Sequence, residues 1–240
     1  MTVRDYLNSL ERYLTSIKST KELKEHILDN NSASYLKGLR NLLNFMDYQE
    51  LDTINGTPIE RWRSSIKLKK SNARMIYLSD EEVQEAYQHM DEDVKILFLA
   101  VAYSGARLTQ LLEGLEHLGE SIILGDIARF PLESKGSKKG FWCYIPSSLL
   151  SDLRKYKSEG YDTVKKKLKY GRVTGATLRK WNLNFLISHG VQESIADFIQ
   201  SRVAKSVAAS HYMNLLAQGD REYTRICEEL CSVINDGKKM

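Results

Sequence analysis

Cysteine is scarce in this chain: Cys143, Cys227 and Cys231 are the only three among 240 residues. That number is too small and too odd for a disulfide framework at this size, and it fits a reducing compartment. Cys227 and Cys231 lie four apart on an expected helix, but a metal site needs more ligands and no histidine is near them in sequence. Long hydrophobic runs are absent too. The longest, Ile96 to Tyr103, has eight residues, against the roughly 20 that cross a bilayer, so no membrane partner is expected. Residues 1–14 mix Arg4, Asp5, Glu11 and Arg12 into a helical pattern and lack the apolar stretch of a secretory signal; the expectation is a cytoplasmic protein. No GxxxxGK loop, GxSxG elbow or HExxH pair occurs, which disfavours nucleotide hydrolysis, elbow-serine ester hydrolysis and zinc peptidase chemistry. No internal repeat or extended low-complexity tract is found.

What is present is ordinary for a globular chain. Apolar residues make up 42% and charged residues 28%, which excludes a wholly disordered or fibrous protein. At roughly 150 residues per domain the length allows one large domain, or a large one with a small helper. Lys plus Arg (35) exceed Asp plus Glu (31), a net charge of +4 that weakly favours an anionic partner.

The first third reads as helices. Val3, Tyr6, Leu7, Leu10, Leu14 and Ile17 recur at helical spacing, as do Tyr35, Leu36, Leu39, Leu42, Leu43 and Met46, with Leu23, Ile27 and Leu28 on a helix between them. A short helix is expected to open at Thr57-Pro58-Ile59-Glu60, with Thr57 as cap and Glu60 closing a capping box. The span from Arg61 to Arg74 then carries Arg61, Arg63, Lys67, Lys69, Lys70 and Arg74 without an acidic residue. It reads either as a solvated linker or as a basic strap on a polyanion, each cation neutralising one phosphate. Ser79-Asp80-Glu81-Glu82 is a second capping box, opening a helix through Val83, Tyr87 and Met90. The most hydrophobic helix, Val94 to Tyr103, must be surrounded by protein; Ser104-Gly105-Ala106 breaks it, and Leu108, Leu111, Leu112 and Leu115 mark the next one. Between Ser121 and Pro146 the period changes, and Ile122–Leu124, Ile127–Leu132 and Phe141–Ile145 predict a small antiparallel sheet. Helical patterns resume after Pro146, with breaks expected at Gly160, Gly171, Gly190 and Gly219. The fold class is therefore mainly α with a small antiparallel β-sheet.

Polar residues stand where a core helix would prefer none. Arg107 follows the small residues Ser104-Gly105-Ala106, Arg179 lies among Leu178, Trp181, Phe185 and Leu186, and Arg202 follows the apolar-rich Ile195–Gln200. Each alone reads as a capping or solvated arginine. Together with a lysine at Ser134-Lys135-Gly136 and with His211-Tyr212, their order and spacing resemble the active-site signature of tyrosine recombinases. The resemblance is to integrases of archaeal viruses and plasmids, in which Arg often stands between the second arginine and the tyrosine. It covers about residues 78–216 and, more loosely, the helical unit before it.

That resemblance implies a site-specific DNA recombinase or integrase with double-stranded DNA as partner and a tetramer on DNA as working assembly. It implies the organisation 1–66 as a helical DNA-clamp domain, 67–77 as a basic linker, 78–216 as the catalytic domain and 217–240 as a C-terminal helix. That last helix is placed either on a neighbouring subunit or back on its own domain. Arg107 and Arg179 would clamp the phosphate with two-pronged hydrogen bonds, Arg202 would add a third donor, Lys135 would protonate the departing 5′ oxygen, and Tyr212 would form a 3′-phosphotyrosine link. Neither ATP nor a metal cofactor is needed, because the covalent link conserves the energy of the cut bond. Lys138 and Lys139 share the turn with Lys135, so which of the three is the acid stays open; the others read as phosphate contacts. Two positions depart from the family pattern. Ala176 stands where His or Lys is usual, leaving Lys180, Arg172 or water for that proton transfer, and Gln110 stands for the usual acidic residue, so that amide hydrogen bonds would hold Arg107. An inactive DNA-binding protein of the same fold and a nicking-closing topoisomerase are the alternatives.

Overall fold

The structure, a computed structural model, describes residues 3–68, 76–133, 141–202 and 214–235. Lys69, Lys70, Arg74, Lys135, Lys138, Lys139, His211 and Tyr212 lie outside the described residues. The chain forms two compact units, Met1–Arg74 and Met75–Met240.

The first unit is built from α1 (Val3–Tyr13), α2 (Thr20–Asp29), α3 (Ala33–Tyr48) and α4 (Ile59–Ser65). Its core joins Leu23, Tyr35, Leu36, Leu39 and Leu43 to Ile59, Trp62 and Ile66, with Leu10, Tyr13, Ile17 and Ile27 against its edge. The helical spacing through Ile17 overruns the first helix, which ends at Tyr13. The segment beyond is claimed by the cap of α2, where the Glu22 amide donates to Ser19 Oγ and the Lys18 amide to Glu22 Oε2. A second difference lies before α4. Thr57 does not cap it; Thr57–Pro58 forms strand β2, paired antiparallel with β1 (Thr53–Ile54), and Pro58 occupies the cap position without a side-chain bond. Asn55 (φ 49°) and Gly56 (φ 71°) make the tight turn between them, the Asn-Gly hairpin geometry that matches strand twist. Hydrogen bonding in that hairpin removes Thr57 from the helix end.

In the second unit α5 (Asp80–Gln88) starts with the expected capping box of Ser79 and Glu82. The central helix α6 (Glu92–Ser104) buries residues on every side, from Val94 and Leu97 to Tyr103 and Ser104. After α7 (Leu108–Gly114) and a 3-10 turn come β3 (Ile122–Leu124), β4 (Ile127–Pro131) and β5 (Trp142–Pro146). They form one antiparallel sheet of order β3-β4-β5, with Arg129 opposite Tyr144. Helices α8 (Leu150–Lys155), α9 (Tyr161–Lys167), α10 (Gly175–Ser188), α11 (Glu193–Ile199) and α12 (Leu215–Asn235) complete the unit.

The expected break at Gly219 does not occur: α12 runs through it. A Cβ there would lie 3.0 Å from the Tyr144 hydroxyl and 3.1 Å from Phe198, so this glycine permits close approach of the helix to β5 and α11. Tyr223, Ile226, Cys227, Leu230 and Ile234 are buried in the unit's own core, and Tyr223 donates to the Tyr103 carbonyl (3.3 Å). Of the two placements left open for this helix, the chain adopts the fold back onto its own unit. All three cysteines are free, and burial pushes the Cys143 thiol up to about 12, which leaves it a packing residue. No helix among the described residues is long and apolar enough to cross a membrane, and no group of three His, Cys, Asp or Glu among them is placed to hold a metal ion.

Candidate active site

The end of α6 positions the first arginine. Gly105 takes the left-handed conformation (φ 58°) that stops the helix, as glycine does at many helix ends. It also has no room for a side chain, since a Cβ would meet Gln200 Nε2 at 2.4 Å and Asn182 Oδ1 at 2.5 Å. The buried Ser104 hydroxyl donates to the Ala100 carbonyl and accepts from the Ala106 amide. This tight corner delivers Arg107 to the N-terminus of α7 in extended conformation. Its Nη1 donates to Gln110 Oε1 (3.0 Å), and Gln110 Nε2 donates to the Glu133 carbonyl (3.2 Å). The amide thus joins Arg107 to the strand end that leads into residues 134–140.

Arg179 sits in α10, which opens with a capping box of Thr174 and Thr177. It is only 8% exposed. Its Nη1 donates to the Gly105 carbonyl, while its Nη2 is buried without a hydrogen-bond partner among the described residues. Burial, then the charges of Arg202 and Arg107, bring Arg179 down to about 9, with Asp197 opposing. It therefore stays protonated at neutral pH. Arg107 is lowered as well, by burial and by Arg202. A polar knot fixes the backbone beneath these groups: Gln200 Nε2 donates to the Arg179 carbonyl (2.9 Å) and Asn182 Oδ1 (2.6 Å), and Asn182 Nδ2 donates to the carbonyls of Ala102 and Tyr103.

Arg202 follows Ser201, a non-glycine residue at φ 54°, a region costly for a side-chain-bearing residue. Ser201 Oγ accepts from the amides of Phe141 and Trp142 (3.1 Å each) and donates to the Trp142 carbonyl (2.8 Å). The Arg202 amide donates to the Asp197 carbonyl (2.8 Å), and its Nη1 stands 3.5 Å from Asp197 Oδ1. Residues 133 and 141, at the two ends of the 134–140 segment, are thus fastened to the arginine-bearing elements by Gln110 and Ser201.

The three arginines line one cleft of about 570 Å³, together with Thr109, Tyr161, Lys165, Lys169, Ala176 and Lys180. Three guanidiniums against one carboxylate, Asp197, favour an anion with several oxygens, and guanidinium forks match phosphate oxygens two at a time. Ala176 lines the cleft beside Lys180. Arg172, the other candidate for the missing proton-transfer group, is held in a two-pronged pair with Glu82 instead. Among the basic span, Arg61 and Lys67 are exposed, but Arg63 donates to Asp47 Oδ2 (2.7 Å). Its acidic partner comes from α3, outside the span whose own charges are all basic. Sequence reading did not single out Asn182, Gln200 and Ser201, whose roles come from tertiary placement. It also passed over Lys165 and Lys169, although the run Lys165-Lys166-Lys167-Leu168-Lys169 is a visible basic signal.

Over residues 75–229 the sequence matches the archaeal phage integrase family. The chain belongs to that family. No curated protein matches it. Among solved structures it is similar to a lambda integrase (75-356) dimer bound to a COC′ core site, at 14% identity and a TM-score of 0.59, covering 85% of this chain and 86% of that one. It is also similar to the XerH site-specific recombinase in a post-cleavage complex with a palindromic difH substrate, at 13% identity and a TM-score of 0.54, covering 95% of this chain and 77% of that one. At these identities the likeness is one of fold.

Proposed function

We propose that this integrase is a site-specific DNA recombinase that cuts and rejoins duplex DNA through Tyr212. The observation that supports the reading most is the convergence of Arg107, Arg179 and Arg202 on one cleft. In the reaction the Tyr212 oxygen attacks a backbone phosphorus and displaces the 5′ oxygen in line, forming a 3′-phosphotyrosine bond. The three guanidiniums answer the extra negative charge on the non-bridging oxygens of the transition state. Lys135 gives the departing 5′ oxygen its proton, and the Tyr212 proton leaves to water. A new 5′ hydroxyl then attacks the phosphotyrosine, restoring the phosphodiester and the tyrosine. One phosphoester replaces another at each step, so neither ATP nor a metal is required. The exposed Arg61 and Lys67, with Lys69, Lys70, Arg74, Lys138 and Lys139, serve as backbone-phosphate contacts, and the helical unit, residues 1–66, also binds the duplex. Working on two duplexes calls for four protomers.

Ala176 favours a second reading, a DNA-binding protein that has lost the reaction. The test is incubation of the wild type and of Tyr212→Phe with nicked or mismatch-trapped duplexes, without metal or ATP, followed by denaturing electrophoresis. A covalent adduct from the wild type alone is expected. Tight, salt-sensitive DNA binding with no adduct on any substrate would favour the second reading.

A further inference from the structure

We propose that Tyr161 and Lys165 on α9, with Lys169 just beyond its end, form a second phosphate-binding element, which holds the backbone phosphates flanking the one gripped by the three arginines. The inference rests on the strand-transfer reading for the identity of the anion, a nucleic-acid backbone. A cleft of about 570 Å³ is on the scale that encloses a drug-sized molecule, more than a single phosphodiester group fills. Its lining continues from the arginines onto α9 at Tyr161 and Lys165, four apart and so on one helical face, and then to Lys169, two residues past the helix end.

The helix is rigidly mounted for such a role. Val164 on its other face and Leu168 at its C-terminal cap are fully buried, and it packs against α7, the helix that Arg107 opens. The three lysines of α9 and Lys169 after it are sorted by environment. Lys167 is turned inward to Asp93 and to Glu159 Oε1 (2.8 Å), which raise its pKa. Lys166 is exposed and lies outside the cleft lining. Lys165 and Lys169 are exposed on the cleft side and form no ion pair among the described residues; the Lys165 ammonium stands 5.7 Å from the Tyr161 ring centre, a cation–π contact that restrains its stem. Two cations left unneutralised beside a three-arginine cluster would be a standing repulsion without a polyanion to lie between them.

The test is the salt dependence of binding to a short duplex of arbitrary sequence by the full chain, its Lys165→Gln/Lys169→Gln double variant, and Lys166→Gln. Each phosphate contact contributes about 0.9 to the slope of log affinity against log salt. The double variant is expected to bind more weakly and to lose about 1.8 from that slope, whereas Lys166→Gln keeps the wild-type slope. An unchanged slope in the double variant overturns the proposal. So does an equal loss per lysine in Lys166→Gln, because the effect would then follow net charge and not the cleft. The wild-type adduct assay separates the two claims: an adduct with an unchanged double-variant slope sinks only the α9 element, and no adduct sinks the reading beneath it.

Discussion

Ser201 shows most plainly how individual residues make this site. Its left-handed backbone would suit glycine, yet its hydroxyl makes three hydrogen bonds to Phe141 and Trp142. The two effects oppose each other. Ser201→Gly loses the bonds, each worth about 1 kcal/mol, but relieves roughly 1–2 kcal/mol of backbone strain. Ser201→Ala loses the bonds and keeps the strain. Thermal melts are therefore expected to rank wild type first, then Gly, then Ala; an alanine variant at least as stable as the glycine variant would refute the strain argument. Arg179 makes a second prediction at this scale. Its folded-state value of about 9 lies well below the ordinary guanidinium range, so the folded chain releases this proton first. The penalty for its burial is constant below about 9 and is relieved as pH rises from there towards the ordinary guanidinium range. Urea midpoints should accordingly show wild type gaining on Arg179→Met once pH passes about 9; a gap that stays fixed would contradict the assignment. Sequence order and spacing brought out Arg107, Arg179 and Arg202 because their polarity is out of place among apolar neighbours. Asn182, Gln200 and Ser201 were silent, because amides and hydroxyls occur everywhere and only long-range folding sets them under the arginines.

Elements were legible where local chemistry and tertiary packing agree. The Ser79–Glu82 capping box, the all-round burial of α6, the stop at Gly105 and the three strands follow from patterns that the core then reinforces. They were misread where a local signal was overruled. Thr57 looks like a helix cap but pairs in a hairpin that Asn55-Gly56 turns. Gly219 looks like a break but is a contact point within α12. That difference is testable, since Gly→Ala in an open helix interior usually gains about 1 kcal/mol. Tyr144 is buried and its hydroxyl is committed to Asp220 Oδ1 (2.8 Å), so it cannot give way easily. Gly219→Ala should lower the melting temperature of the second unit, and an increase would mean that α12 is an ordinary helix there.

At the scale of the whole molecule, a net charge of only +4 conceals an uneven distribution. Glu82 holds Arg172, Asp47 holds Arg63, and Asp93 with Glu159 holds Lys167, while the cleft gathers Arg107, Arg179, Arg202, Lys165, Lys169 and Lys180. Some of the basic charge that composition counts is thus engaged within the protein, and what faces the cleft is concentrated for a polyanion. The central claim is that Tyr212 carries the reaction, and one tryptic peptide can decide it. Residues 206–221 lie between cleavage points at Lys205 and Arg221 and contain Tyr212 as their single tyrosine. Wild-type protein trapped on a nicked duplex, digested with nuclease and trypsin and analysed by mass spectrometry, should carry its nucleotide remnant on Tyr212 of that peptide. A remnant on any other residue, or none on any substrate that the protein binds, would contradict the account.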